Sequence, residues 1–170
     1  NAYGGGVYIT GATGLLFSGC AFISNVAQDT VSASYESRGG GLYSAASVVT
    51  LSNCVVKAND AILGNSYGGG IYMTGGSMTL IDSILAHNNS RSAYVRWGGG
   101  LYVAGTCRMQ NCLVIGNSVT GGSGCDGLYV ASGALALENC TVAHNTGQGL
   151  NRAGGTVSVT NSILWGNGDD

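Results

Sequence analysis

The sequence predicts an all-β chain, a right-handed parallel β-helix (a β-solenoid) of about six coils with three short strands per coil. Two phrases that recur in register carry this prediction. The first is Gly-Gly-Gly-apolar-Tyr, beginning at Gly4, Gly39, Gly68 and Gly98, with weaker copies at Asp126 and Gly149. The second is Cys/Ser-apolar-apolar-x-x-Asn, beginning at Cys20, Cys54, Ser83, Cys112, Cys140 and Ser162. Constant blocks joined by a segment of variable length are typical of stacked coils.

Apolar residues alternate with other residues inside each block. Val7 and Ile9 flank one Tyr, and Ile71 and Met73 flank another. A period of two over a few residues indicates short strands with one buried face. Six coils at about 4.8 Å each predict a rod about 30 Å long, formed by one domain over residues 1–170.

Composition excludes two classes of partner. Charged residues make up 8% of the 170 residues, and the net charge is -2. The six Lys and Arg residues form no run, so we expect no nucleic-acid partner, because phosphate binding needs clustered cations. No apolar run approaches the roughly 18 residues of a membrane span, so we expect no membrane insertion.

Each coil carries an Asn five residues after its Cys or Ser. Asn tolerates left-handed backbone at tight turns, and stacked amides can hydrogen-bond from coil to coil. We therefore predict a structural Asn ladder formed by Asn25, Asn59, Asn88, Asn117, Asn145 and Asn167.

The Cys/Ser column is predicted to face inward as small, buried, free side chains. Cβ vectors of directly stacked residues run parallel, which is poor geometry for a disulfide. Because Ser83 and Ser162 share the column and no His joins it, a redox or metal site is disfavoured. Cys107 and Cys125 lie outside the column, and their pairing is open.

The Tyr residues of the first phrase alternate with inward apolar residues and should therefore face outward. Stacking of their rings would stabilise the sheet. Alternatively, the rings would form an exposed stripe that grips sugar rings or a partner protein. The column contains Tyr8, Tyr43, Tyr72, Tyr102 and Tyr129.

A second outward column is unusually apolar for a solvated face. It is either an interaction surface or a face covered by the corner loops. Its residues are Val55, Ile84, Leu113 and Ile163, with Trp165 at its C-terminal end.

Carboxylates are too sparse to predict catalysis. Glycoside hydrolases need a pair of carboxylates across a cleft, and we assign no catalytic residue and expect no cofactor. Asp29, Glu36 and Asp60 form the one loop cluster that could hold Ca²⁺. His87 and His144 share a column but lie two coils apart, about 10 Å, too far for one metal ion.

Several phrases resemble those of a known group. Asn111-Cys112-Leu113-Val114 and Asn161 to Asn167 look like the pectate-lyase-like right-handed β-helix repeats of large bacterial surface proteins. These include the choice-of-anchor Q proteins and, more distantly, polymorphic outer-membrane autotransporters. The resemblance implies export, an extracellular or cell-surface location and adhesion to a polysaccharide or surface protein.

Three functions follow as hypotheses. The first is a structural or adhesive surface rod, and the second is a carbohydrate-binding module that uses the Tyr stripe. The third, a lyase or hydrolase, is less favoured because of the sparse carboxylates. Both ends of the pattern look uncapped, and Tyr3 occupies the same position as Tyr67 and Trp97. We therefore expect either end-to-end association into a filament or an excerpt of a longer solenoid.

Overall fold

The computed structural model describes residues 1–29, 35–121 and 125–168. The side chain of Cys125, whose pairing was open, lies outside the described part, as do Asp169 and Asp170. The described chain winds into stacked coils whose strands form four parallel sheets. All strand pairings join neighbouring coils in parallel, so the predicted parallel β-helix is confirmed.

The sheets follow one another around each coil. The leading sheet precedes the glycines and contains β1 (Ala2–Tyr3), β6 (Glu36–Arg38), β10 (Asn65–Tyr67) and β14 (Arg96–Trp97). The long sheet follows the glycines and contains β2 (Val7–Thr10), β3 (Thr13–Ser18), β7 (Leu42–Ser52), β11 (Ile71–Ile81), β15 (Leu101–Gln110), β18 (Cys125–Glu138), β20 (Gln148–Arg152) and β21 (Thr156–Thr160).

The remaining two sheets complete the wall. The middle sheet contains β4 (Ala21–Ile23), β8 (Val55–Lys57), β12 (Ile84–Ala86), β16 (Leu113–Ile115), β19 (Thr141–Ala143) and β22 (Ile163–Trp165). The corner sheet contains β5 (Val26–Gln28), β9 (Asp60–Ile62), β13 (Asn89–Arg91) and β17 (Ser118–Thr120). The structure thus refines the three-strand pattern. In the central coils the first two predicted strands run together in the long sheet, and the variable segment supplies the leading and corner strands.

Apart from local register shifts within the long sheet, the register continues from coil to coil and places like residues in columns. Leu42, Ile71, Leu101 and Leu128 pair in sequence and are fully buried. The inward residues of the long and middle sheets form one continuous core. Burial of this apolar column is the main source of stability, at roughly 25 cal/mol per Å².

The Gly-Gly-Gly corner explains why the two sequence phrases occur together. The first glycine, such as Gly68 at φ 61°, adopts the left-handed backbone that starts the turn. The third glycine, such as Gly70, lies against the Asn ladder, and a Cβ there would be 2.9 Å from the Asn88 amide carbon. The corner is therefore tight enough to exclude any side chain at that position.

Candidate functional site

The six ladder Asn side chains form one chain of hydrogen bonds along the axis. In each central coil, the backbone N–H and the side-chain Nδ2 of one Asn both donate to Oδ1 of the next Asn. Asn88, for example, donates both bonds to Asn117 at 3.0 Å. Each Nδ2 also donates to a backbone carbonyl of the preceding coil, as Asn117 does to Leu85 at 3.0 Å. The four central members, Asn59, Asn88, Asn117 and Asn145, are at most 1% exposed, so the ladder lies inside the rod.

The expected left-handed backbone falls one residue earlier than the ladder. Ser24, Ala58, His87 and His144 have φ values between 53° and 57°, whereas the Asn residues that follow them do not have positive φ. The prediction of left-handed ladder Asn residues is therefore wrong. In the ladder, the backbone N–H and the side chain of each Asn instead both point along the long axis of the rod, toward the next Asn. The outer corner does use left-handed Asn, as at Asn53 and Asn111.

The Cys/Ser column forms a second ladder inside the wall. The backbone N–H of Cys54 donates to Ser83 Oγ at 3.1 Å, and Ser83 Oγ donates to the Ile81 carbonyl at 2.7 Å. The thiols of this column donate in the same way, as Cys112 does to the Gln110 carbonyl at 3.2 Å. The five cysteines whose side chains are described are free, and all except Cys20 are buried. Burial raises the pKa of Cys54, and it raises the pKa of Cys107, outside the column, to about 12, which disfavours the reactive thiolate at these two positions.

We expect Cys54→Ser to leave the melting temperature nearly unchanged, because Ser83 already occupies this column one coil away. Cys54→Arg should destabilise the fold strongly, since it buries an unpaired charge. Thermal melts of the two variants test this. Rapid reaction of native Cys54 or Cys112 with a thiol reagent, without unfolding, would contradict the buried column.

The Tyr column stacks but is not an exposed stripe. Neighbouring rings of Tyr8, Tyr43, Tyr72, Tyr102 and Tyr129 lie 4.7–5.4 Å apart, centroid to centroid. However, Tyr43, Tyr72 and Tyr129 are only 6%, 5% and 9% exposed, although they lie outside the core. The predicted sugar-binding stripe is therefore wrong for these three residues. Within this column only Tyr8, in the first coil, is exposed.

A second row of side chains, the covering row, buries the Tyr column. Its members come from the leading sheet, immediately before the glycines, and are Tyr3, Arg38, Tyr67 and Trp97. Tyr3 stacks on Tyr43 at 5.0 Å and Trp97 on Tyr129 at 4.9 Å. The guanidinium of Arg38 lies 4.9 Å from the centre of the Tyr72 ring. The outward side chains of the leading and long sheets therefore contact each other across the glycine corner.

Arg38 takes the place of an aromatic residue in the covering row. Its guanidinium carbon lies 5.5 Å from the Tyr3 ring centre and 5.7 Å from that of Tyr67, within cation–π range. Glu36 neutralises it through an ion pair at 2.6 Å. Burial raises the pKa of Tyr67, Tyr72 and Tyr102, so these rings stay uncharged and pack as a layer outside the sheet.

Tyr72→Ala should lower the free energy of unfolding by about 3 kcal/mol, because it removes a ring packed against three others and against Arg38. Tyr72→Phe keeps the ring and should change stability by less than about 0.5 kcal/mol. Denaturant titration compares them. Equal losses for both variants would show that the hydroxyl matters and not the stack.

The predicted apolar column faces outward on the middle sheet. Val55, Ile84 and Leu113 pair in register, and Thr141 and Ile163 continue the column. Val55 and Leu113 are half-buried, while Ile84, Ile163 and Trp165 are exposed. The described corner segments therefore leave the column accessible. Trp165 packs edge-on against His144, with centroids 5.0 Å apart.

An exposed amide ladder borders this column. Asn111 Nδ2 donates to Asp82 at 2.9 Å, and Asn139 Nδ2 donates to Asn111 at 3.2 Å. A shallow depression follows this edge, lined by Asp82, Ile84, Asn111, Leu113, Asn139 and Thr141. It presents amide groups beside aliphatic side chains at the coil repeat.

The candidate Ca²⁺ cluster of Asp29, Glu36 and Asp60 does not form among the described residues. Asp29 lies 2.5 Å from the amino group of Asn1, Glu36 pairs with Arg38, and Asp60 lies 3.9 Å from Arg91. Glu36 and Asp60 therefore each face a cation of their own. In the part of the chain that the structure describes, no group of three or more His, Cys, Asp or Glu residues could hold a metal ion.

The comparisons with known proteins agree with this architecture. The family model described as "Right handed beta helix region" matches residues 1–170. The comparison with curated proteins and that with solved structures gave no match. Among the described residues, no helix is long and apolar enough to cross a membrane. The chain therefore belongs to the right-handed β-helix family, within the general pectate-lyase-like superfamily.

Proposed function

We propose that the chain is an extracellular, non-enzymatic rod with a structural or adhesive role at the cell surface. The main observation in support of this proposal is the Asn ladder, which runs through all six coils without a break. A buried ladder ties each coil to the next by side-chain as well as backbone hydrogen bonds. Such cross-linking along the axis favours a stiff spacer, because bending the rod would stretch these bonds.

The pairing of the acidic side chains supports a role other than catalysis. Five acidic side chains are described, and each has a cationic or amide partner: Asp29, Glu36, Asp60, Asp82 and Glu138. Glu138 forms an ion pair with Arg108 at the surface, at 2.6 Å. Glycoside hydrolysis needs two carboxylates that face each other across the substrate. We propose accordingly that the chain needs no cofactor.

Activity assays test the non-enzymatic part. The purified chain should release neither unsaturated products nor new reducing ends from uronic-acid polymers, with or without added Ca²⁺. Product that forms with the wild-type chain, and that is lost on Asp60→Asn or Glu138→Gln, would overturn it.

The surface location is supported by the likeness of the repeats to those of bacterial surface proteins such as the choice-of-anchor Q group. Protease treatment of intact producing cells tests it. Antibody signal from the chain should fall on intact cells while a cytoplasmic marker stays unchanged. A signal that falls only after lysis would overturn the surface location.

The proposed adhesive role is supported by the exposed apolar column and by the amide ladder that borders it. Amides beside aliphatic side chains can hold a polysaccharide or a surface protein through mixed polar and apolar contacts. Binding to purified cell-surface polysaccharides and to intact cells should fall on Ile84→Asp, which places a charge in the middle of the column. Val48→Asp, on another face, is the matched control.

A further inference from the structure

The aromatic layer outside the long sheet places one indole in a continuous stack of phenol rings. Trp97 of the covering row stacks on Tyr129, with ring centres 4.9 Å apart. Tyr129 stacks on Tyr102 at 5.4 Å, and Tyr102 stacks on Tyr72 at 4.7 Å. These rings come from three successive coils, each of which pairs with a further coil on both sides. The stack is therefore an internal feature of the solenoid.

Two rings of this stack are open to water as well as in contact with their neighbours. Indole and phenol are the most easily oxidised aromatic side chains, and their radicals are stabilised when the N–H or O–H proton also leaves. Trp97 and Tyr102 are half-buried, whereas Tyr72 and Tyr129 are 5% and 9% exposed. Tyr129 can therefore pass an electron between the rings that it touches, while a lasting radical is favoured at Tyr102.

Arg38 opposes oxidation further along the column. Its guanidinium carbon lies 4.9 Å from the ring centre of Tyr72, nearer than to any other ring that it contacts. A positive charge beside a ring opposes the removal of an electron from that ring. Tyr67, which is half-buried and lies edge-on to Tyr102 at 5.4 Å, can instead share the radical with Tyr102. Oxidation of this stack therefore collects at Tyr102 and Tyr67.

We propose that Trp97, Tyr129 and Tyr102 form a relay that carries one-electron oxidation from the indole to Tyr102. A one-electron oxidising radical in solution takes an electron from Trp97, and the indole Nε1–H proton passes to water. Tyr102 then gives one electron to the indole by way of the Tyr129 ring. The Tyr102 hydroxyl proton passes to water, and the indole takes one proton back from water. In the net reaction the oxidant is reduced, Trp97 is restored and the radical lies on Tyr102.

The relay keeps oxidation outside the sheet. Met73, Cys107 and Met109 lie in the core and are at most 1% exposed. Their sulfur atoms are the core groups that oxidation would convert into polar products and so disrupt the packing. Because the relay needs only the ring geometry, its failure would leave the proposed structural or adhesive role standing.

Pulse radiolysis of the full chain with the azide radical tests the relay, because indole and tyrosyl radicals absorb in separate bands. Trp165→Phe leaves Trp97 as the only indole. In this variant the Trp97 radical should decay while a tyrosyl band grows at the same rate, independently of protein concentration. Adding Tyr102→Phe keeps the ring but removes the hydroxyl, and the growth should be lost. Adding Tyr129→Leu removes the bridging ring and should slow the growth.

Matched controls separate the stack from other routes. Trp97→Phe leaves Trp165, which among the described rings contacts His144 and no phenol, so its radical should decay without tyrosyl growth. Tyr94→Phe changes an exposed phenol that stacks on no described ring, and it should leave the growth from Trp97 unchanged. Circular dichroism should show the wild-type β spectrum for each variant. Growth that survives Tyr102→Phe, that is lost in Tyr94→Phe or that starts from Trp165 would overturn the relay.

Discussion

Asn117→Ala should lower the free energy of unfolding by about 2–5 kcal/mol. The Asn117 side chain accepts two hydrogen bonds from Asn88 and donates to Leu85 and Asn145, each at 3.0 Å. Truncation leaves at least the buried Asn88 N–H without its partner, at roughly 1–3 kcal/mol, and it also removes the side-chain bonds to Leu85 and Asn145. Equilibrium denaturation by guanidinium, with the midpoint and slope both fitted, measures the loss.

The same column supplies the control. Asn25 is partly exposed and donates to Asn59, and among the described residues none donates to its side-chain oxygen. Asn25→Ala should therefore cost less than about 1 kcal/mol. If the two variants lost equal stability, the ladder would not be cooperative along the axis, and its members would act through local turn geometry alone.

Gly70→Ala should be at least as damaging, by about 3 kcal/mol or more, because overpacking of a closed site forces backbone shifts. A Cβ at this position would lie 2.6 Å from the Gly100 carbonyl oxygen and 2.9 Å from the Asn88 amide carbon. Gly70 does not have a positive φ, so the loss would be steric and not conformational. Thermal and denaturant unfolding both report it.

Gly11→Ala distinguishes steric exclusion from backbone strain. Gly11 has a φ of 64°, but a Cβ there would meet no atom within 4 Å. Its substitution should cost only the left-handed penalty, roughly 1–2 kcal/mol. A Gly11→Ala loss that matched that of Gly70→Ala would show that the glycine corner is selected for flexibility and not for the space that the ladder occupies.

The repeat was sufficient to predict the fold because each coil meets only its neighbours. Residues at the same place in successive repeats therefore stack in successive coils. The columns that contain Cys54 and Asn59 could be assigned by counting residues. Counting could not predict the backbone conformation of each residue in a column. It did not show that His87 takes the left-handed conformation so that Asn88 can aim its amide along the axis.

The candidate surfaces were harder to predict for a related reason. Alternation correctly placed Tyr72 outside the core, but exposure also depends on what the adjoining sheet lays over it. The aromatic residues before the glycines, Tyr3, Tyr67 and Trp97, were visible in the sequence as a column. Whether these residues cover the Tyr column depends on the angle between the leading and long sheets at the glycine corner. The periodicity within one strand does not predict that angle.

The direction of the Asn ladder also has an electrical consequence. Every side-chain amide in it points its oxygen toward the coil of Asn25 and its Nδ2 toward the coil of Asn167. An amide group carries a dipole of about 3.5 D, and aligned dipoles sum as they do in a helix. The exposed ladder from Asp82 to Asn161 runs the opposite way, but water screens it more strongly than the buried one. The ladder therefore contributes a permanent axial dipole, negative at the first coil, whose size grows with each coil that is added.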